Sequence, residues 1–200
     1  MKLYYAPGAC SMAPHILLRE AGLEFALERV DLRTHTTEGG ADYYAINPKG
    51  AVPALEIAPG ELLTEGPVIG QWVCDQAGRR DLMPEPGSLA RYRVMEWQNY
   101  ISTELHKSFA VLFNSQIPAE VKPIFVRSLR DKFAWVSKQL DGSDHLTGSD
   151  FTAADAYLFT VLGWAPLVGV DTSDCTGLNA FAIRVGERAS VAAVRQAEGL

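Results

Sequence analysis

Ala51-Val52-Pro53-Ala54-Leu55-Glu56-Ile57-Ala58-Pro59-Gly60-Glu61-Leu62-Leu63-Thr64 is the stretch on which the fold turns. Two short β-prone runs, 51–57 and 61–64, flank the turn pair Pro59-Gly60. Thr64 lies nine positions after Leu55, too close for a helical crossover, so an antiparallel hairpin is expected. Pro67 then opens a helix that carries Val68, Ile69, Trp72 and Val73 on one stripe with a period of about 3.6 residues.

Upstream, Leu3-Tyr4-Tyr5 reads as a first strand stopped by Pro7-Gly8. Ser11 to Ala21 reads as a helix, with Ile16, Leu17 and Ala21 near the helical period and Gly22 as its stop. Phe25 to Val30 is a second strand. A β-α-β crossover of this kind favours parallel pairing of its two strands. Between Asp31 and Asn47 the residues Thr34, Thr36, Thr37, Gly39 and Gly40 mark a loop, with a turn of helix expected at 41–45. The order β-α-β, loop, β-β-α is that of a thioredoxin-like domain with a mixed four-stranded sheet.

Downstream the texture changes. Residues 78–87 have no apolar period and hold Pro84 and Pro86, as an interdomain linker does. Helices are expected from Leu89 to Phe113 and from Glu120 to Leu140, the second ended by Asp141-Gly142-Ser143. Thr152 and Asp155 have the spacing of a helix capping box. Tyr157, Leu158, Val161, Leu162 and Trp164 follow, a helix apolar enough for the centre of a bundle. The expectation is an α+β two-domain protein: a thioredoxin-like domain over 1–80 and an all-α helical bundle over 88–200.

The chain has 200 residues and is 48% hydrophobic, enough for a sizeable core without staples. Its 18 Lys and Arg against 24 Asp and Glu argue against a broad nucleic-acid surface, though a local pocket for one small anion stays open. Cys10, Cys74 and Cys175 are far apart and odd in number, so neither a disulfide framework nor a metal site is expected. Pro7-Gly8 interrupts the N-terminal apolar run before a secretory core forms, and no run nears the roughly 20 residues of a membrane span. A cytoplasmic location without membrane attachment is expected.

Cys10 is the sharpest candidate for chemistry. It stands between the Pro7-Gly8 turn and the helix from Ser11, where exposed N–H groups and the helix dipole stabilise a thiolate. A buried thiol packed as a small hydrophobe is the bland alternative. Cys74 lies on the apolar stripe and reads as core; Cys175 lies in a polar loop with nothing beside it to suggest a role. Pro53 inside a strand fits an edge position, or a cis kink that frees neighbouring backbone for a ligand. Glu65, at a strand end and just before a helix N-terminus, offers a site for an amine beside one for a carboxylate, which together suit an α-amino-acid head group. An ordinary acidic helix start is its alternative. Further on, Asn99, Thr103 and His106 fall on one helix face, either a solvated row or one wall of a cleft between the domains.

Taken together, these motifs resemble the beta class of bacterial glutathione transferases along essentially the whole chain. They are Pro7-Gly8-Ala9-Cys10-Ser11, Asn47-Pro48-Lys49-Gly50-Ala51-Val52-Pro53-Ala54-Leu55, Leu63-Thr64-Glu65-Gly66, the run from Glu96 to Lys107, and that from Phe151 to Thr160. The resemblance implies a homodimer with two glutathione sites, in which Cys10 contacts the glutathione sulfur and can form a mixed disulfide with it. It implies that Val52, before a cis Pro53, bonds the cysteinyl backbone, and that Glu65 and Gly66 hold the γ-glutamyl head. Asn99 and the catalytic His106 approach from the helical domain, while Thr103 and Glu104 reach the neighbouring subunit's site. Two positions depart from the pattern. Gly66 stands where the superfamily commonly has Ser, which removes a hydroxyl but keeps the N–H. His35 stands where Lys often pairs with the glycyl carboxylate, and a histidine does so only when protonated.

The leading expectation is an enzyme of detoxification that conjugates glutathione, its co-substrate, to small apolar electrophiles, with no metal. Two alternatives share the fold: a monothiol-disulfide oxidoreductase working through a Cys10–glutathione disulfide, and a non-enzymatic module that binds hydrophobic ligands or a protein.

Overall fold

The computed structural model describes residues 1–200. Two compact units divide the chain, Met1–Met83 with Arg188–Leu200, and Pro84–Glu187.

The first unit is built on a mixed sheet. Strand β1 (Lys2–Tyr5) lies parallel to β2 (Ala26–Asp31) and antiparallel to β4 (Ala54–Ala58). Leu3 stands opposite Leu27 on one side and Leu55 on the other. β4 continues into β5 (Glu61–Thr64) as the expected hairpin, Leu55 opposite Leu63. The sheet order is β3-β2-β1-β4-β5, so it has five strands where four are expected. The fifth, β3, is only Thr36–Thr37, pairing with Val30 and Asp31 at the edge. Two threonines in a Gly-rich loop carry too little pattern to be read as a strand.

Helix α1 (Met12–Ala21) forms the crossover, and its stop is Gly22, in the left-handed conformation with its N–H closing onto the Arg19 and Leu18 carbonyls. The short α2 (Tyr43–Ile46) is capped by the Asp42 carboxylate, which accepts the Tyr44 N–H at 3.0 Å. Helix α3 (Gly66–Gln76) packs on α1. Leu3, Ile16, Leu18, Leu55, Ile69 and Val73 are fully buried in this unit. Each such aliphatic side chain contributes about 1.5–3 kcal/mol of burial free energy.

The second unit is helical throughout. α4 (Leu89–Tyr100) starts at Ser88, whose hydroxyl accepts the Arg91 N–H at 3.2 Å. A π-helical turn (Ile101–His106) separates it from α5 (Lys107–Phe113), so the single helix expected from Leu89 to Phe113 is interrupted. α4, the π-helical turn and α8 (Thr176–Gly186) pack on α7 (Ala153–Leu162), all ten residues of which are buried, while α6 (Lys122–Gln139) packs on α5 and α8. The buried Asp155 carboxylate accepts the Leu146 N–H at 2.9 Å, the Thr152 N–H at 2.8 Å and the Thr152 hydroxyl at 2.8 Å. A short 3-10 turn (Ala165–Val168) follows α7. No helix is long and apolar enough to cross a membrane.

The boundary expected for the second domain, 88–200, differs from the compact unit at its far end. Helix α9 (Ala189–Glu198) belongs with the first unit and packs on α1. Polar pairing holds it there. Arg188 donates to both oxygens of Glu20, at 2.7 and 3.0 Å, and the Ser190 hydroxyl donates to the same carboxylate at 2.5 Å. At the other end Glu198 accepts the Gly8 N–H at 2.9 Å and meets His15 Nδ1 at 2.8 Å, with both of these side chains fully buried. Part of the expected linker is likewise absorbed: Leu82 and Met83 are buried, and an Arg79 guanidinium nitrogen donates to the Glu20 carbonyl.

Candidate active site

The Pro7–Ser11 turn is fixed from three sides. The Ala9 N–H bonds the Ala6 carbonyl, the Ser11 hydroxyl exchanges hydrogen bonds with the Ala6 backbone at 3.2 Å, and Glu198 takes the Gly8 N–H. Cys10 is thereby held half-buried, its thiol donating to the Val52 carbonyl at 3.1 Å. Burial pushes this thiol up from an ordinary value of 9.0 to about 11. The backbone N–H groups of Cys10 and Ser11 pull in the other direction, and the Glu65 carboxylate adds to the rise. The low-pKa thiolate expected at this helix start is therefore corrected. The N–H groups are present, but loss of water outweighs them, and at neutral pH Cys10 is a thiol that donates.

The Val52–Pro53 peptide is cis, the expected kink. Two side chains grip the preceding residue: the Tyr43 hydroxyl donates to the Ala51 carbonyl at 3.0 Å and the Asn47 amide does so at 2.7 Å. Gly66 adjoins Pro53, since a Cβ built on it would stand 3.7 Å from the proline Cγ. Glu65 sits just outside α3 with φ +70°, a left-handed conformation that costs a residue with a side chain roughly 1–3 kcal/mol. Its carboxylate is exposed and meets Lys49 Nζ at 2.6 Å. His35, also at positive φ (53°), stacks on Tyr44 with ring centroids 4.3 Å apart. Gly50 lies against both rings: a Cβ there would be 2.5 Å from Tyr44 Cε1 and 3.1 Å from His35 Nδ1. This packing requires glycine. The first unit thus links Cys10 to Val52, Pro53 to Gly66, and Glu65 to Lys49.

In the second unit the three residues of the expected polar row have different surroundings. The π-helical turn Ile101–His106 lies between Asn99 and α5 and holds Thr103, Glu104 and His106. Asn99 and Thr103 are exposed, with the Thr103 hydroxyl donating to the Asn99 carbonyl at 3.1 Å. Glu104 turns to α6, where its carboxylate pairs with Lys132 at 2.9 Å, and that ammonium also caps the Glu104 carbonyl at 3.0 Å. The Lys132 ammonium holds the Glu104 carboxyl below its ordinary range. His106 turns to α7 instead. It is half-buried, its Nδ1 lies 2.6 Å from the Tyr157 hydroxyl, and its ring stands edge-on to Trp164 at 5.0 Å. Packing has fixed this imidazole in one orientation. Phe109 and Phe113 stack at 5.9 Å beside the same tryptophan.

Sequence reasoning assigned no role to three of these residues. Lys49 lies within a quoted motif, but its pairing with Glu65 spans 16 positions. Tyr157 reads as core until its hydroxyl is seen on His106. Glu198 gave no signal at all, because its partners lie at the opposite end of the chain.

A thioredoxin-like sheet with a thiol on the carbonyl that precedes a cis-proline, joined in one chain to an all-helical unit, defines a class of thiol-handling proteins. The comparisons narrow it. Residues 8–76 match the model of the glutathione S-transferase N-terminal domain, and residues 102–184 that of its C-terminal domain. Glutathione S-transferase GstA of Escherichia coli O157:H7 is 47% identical over 200 residues, with both chains covered in full. A sphingomonad glutathione S-transferase solved in complex with glutathione superposes with a TM-score of 0.96 at 42% identity, again over 100% of both chains. The beta-class glutathione S-transferase of Sphingomonas chungbukensis gives a TM-score of 0.96 at 42% identity over the same full coverage. The chain belongs to the bacterial beta-class glutathione S-transferases, enzymes that take glutathione as co-substrate.

Proposed function

We propose that this enzyme binds glutathione along the Cys10–Val52–Glu65 surface and conjugates its sulfur to small apolar electrophiles. The observation that carries the proposal is the Cys10 thiol 3.1 Å from the Val52 carbonyl. A tripeptide paired with the Val52 backbone brings its own cysteinyl sulfur beside Cys10. Glu65 and Gly66 then take the γ-glutamyl head, Pro53 shapes the bend, and His35 faces the glycyl end. The resemblance supplies the roles in the helical unit: Asn99 and His106 in turnover, Thr103 and Glu104 toward the neighbouring subunit of a homodimer.

With a pKa of about 11, Cys10 is a donor at neutral pH and not a nucleophile. The glutathione sulfur is accordingly the reacting thiolate, and the single Cys10 S–H turns from the Val52 carbonyl to stabilise it by a hydrogen bond to a charged acceptor, worth about 1.5–3 kcal/mol. Proximity of the bound electrophile does the rest. The mixed disulfide is a side path that needs an oxidised partner and a deprotonated Cys10. Isothermal titration with glutathione, followed by initial rates on a panel of electrophiles with the Cys10→Ser variant, tests the assignment. Saturable binding and retention of at least a tenth of the conjugation rate are expected, since a hydroxyl still donates, a difference of about 1.4 kcal/mol at most. Complete loss of conjugation in Cys10→Ser, with binding intact, makes Cys10 itself the nucleophile and refutes the role given to it.

A further inference from the structure

On the reading above, Glu65 meets the α-ammonium of the γ-glutamyl head, and the α-carboxylate of that head needs donors of its own. The chain supplies few from α3. Gly66 offers its N–H, one of the unpaired donors of a helix start, but has no side chain to add a hydroxyl. Pro67, the next residue, has no N–H to offer. A cation stands beside the gap. Lys49 Nζ lies 2.6 Å from Glu65 Oε1 and 3.0 Å from the Thr64 hydroxyl, and the Lys49 N–H is itself held by Asn47 Oδ1 at 3.2 Å. The Lys49 and Glu65 side chains are 57% and 63% exposed, so the pair contributes little to folding and both heads are open to a ligand. Lys49 occupies one Glu65 oxygen, and the other faces no cation of the chain.

We infer that Lys49 is a specificity-determining binding residue, which with Glu65 reads both charges of the α-amino-acid head. The ligand ammonium settles on the free oxygen of Glu65 and the ligand α-carboxylate on the Lys49 ammonium, so that four charges alternate in sign. Lys49 takes the place of the hydroxyl that position 66 lacks. Two consequences separate this from a lysine that merely holds Glu65 in place. Loss of Lys49 penalises ligands that carry the α-carboxylate and spares those that lack it. A serine at position 66 restores part of the loss, and there is room for one: a Cβ on Gly66 makes only ordinary contact, 3.7 Å from Pro53 Cγ.

The test is isothermal titration of the unaltered protein, Lys49→Met and Lys49→Met/Gly66→Ser, each with glutathione and with γ-aminobutyryl-cysteinyl-glycine, which is glutathione without its α-carboxylate. Lys49→Met is expected to weaken glutathione about fivefold, the scale of one partly exposed charged contact, and to leave the decarboxylated peptide within about twofold. The double variant should recover part of the glutathione affinity. Equal losses for the two peptides, or no loss for either, overturn the inference while leaving glutathione binding itself standing. Failure of the unaltered protein to bind glutathione saturably overturns the functional reading and this inference together. Melting temperatures of the three proteins, expected to agree closely, guard against a folding defect.

Discussion

Replacing Glu198 by Ala removes one buried carboxylate that serves two donors at once. One oxygen lies 2.8 Å from His15 Nδ1, which carries the proton because a carboxylate only accepts, and the other takes the Gly8 N–H at 2.9 Å. Both the His15 and Glu198 side chains are fully buried, so water does not replace the lost partner. Two hydrogen bonds to a charged acceptor, at about 1.5 kcal/mol each, give an expected loss of about 3 kcal/mol. For a chain of this size that lowers the melting temperature by roughly 6–12 °C. Function should fall as well, because the Gly8 N–H is one of three anchors of the turn that presents Cys10. Glu198→Gln keeps an acceptor for one of the two donors and should lose about half as much. Scanning calorimetry on the two variants, with glutathione titration at 25 °C where both remain folded, reads stability and site separately. A melting temperature for Glu198→Ala within about 2 °C of the unaltered protein would refute the reasoning.

Alkylation of Cys10 by iodoacetamide should stay slow through pH 8 and rise steeply only toward pH 11, because burial raises the thiol to about that value; a half-maximal rate below pH 8 contradicts the donor role. The same shift makes folding pH-dependent with a definite sign. A thiol that titrates at 9.0 when unfolded and about 11 when folded contributes stability that is complete below pH 9 and lost as pH rises through 11, as denaturation midpoints of the protein and Cys10→Ser will show. His106→Ala should lower catalytic efficiency about 10- to 100-fold while moving the melting temperature little. Tyr157→Phe, which removes the hydroxyl 2.6 Å from His106 Nδ1 but keeps the ring, should cost less. A melting drop of several degrees with unchanged kinetics in His106→Ala makes the histidine a packing element of α7. Sedimentation of the protein at micromolar concentration should report a homodimer, and dilution into monomers should weaken glutathione binding by mass action; undiminished affinity in the monomer removes Thr103 and Glu104 from the site.

The sheet was legible because its signals are local. Leu3–Tyr5, the Pro59-Gly60 turn and the helix after Pro67 each declare themselves within a few residues, and the short hairpin connection leaves one way to pair. The position of Cys10 at a helix start was legible for the same reason. Its ionisation was not, since burial raises it and burial follows from tertiary packing that no local pattern displays. The π-helical turn escaped because one extra residue in a helix leaves the apolar spacing almost unaltered, and within it Glu104 meets Lys132 while His106 meets Tyr157. The allegiance of α9 escaped because amphipathic period names a face and not its partner. Its Glu198 finds Gly8 across 190 positions.

That last attachment bears on the order in which the chain becomes a protein. Residues 84–187 form an uninterrupted unit, whereas the unit that carries Cys10 is assembled from 1–83 and 188–200. On a ribosome the sheet is made first, but the unit that holds it is finished last. The helical unit can close as soon as residue 187 is free, while the Pro7–Cys10 turn waits for Glu198 to be synthesised before its Gly8 anchor exists. A nascent chain stalled short of α9 therefore carries all five strands with a loose thiol turn. Such intermediates should be the ones in which Cys10 reacts fastest with an alkylating reagent, and the finished protein the one in which it reacts slowest.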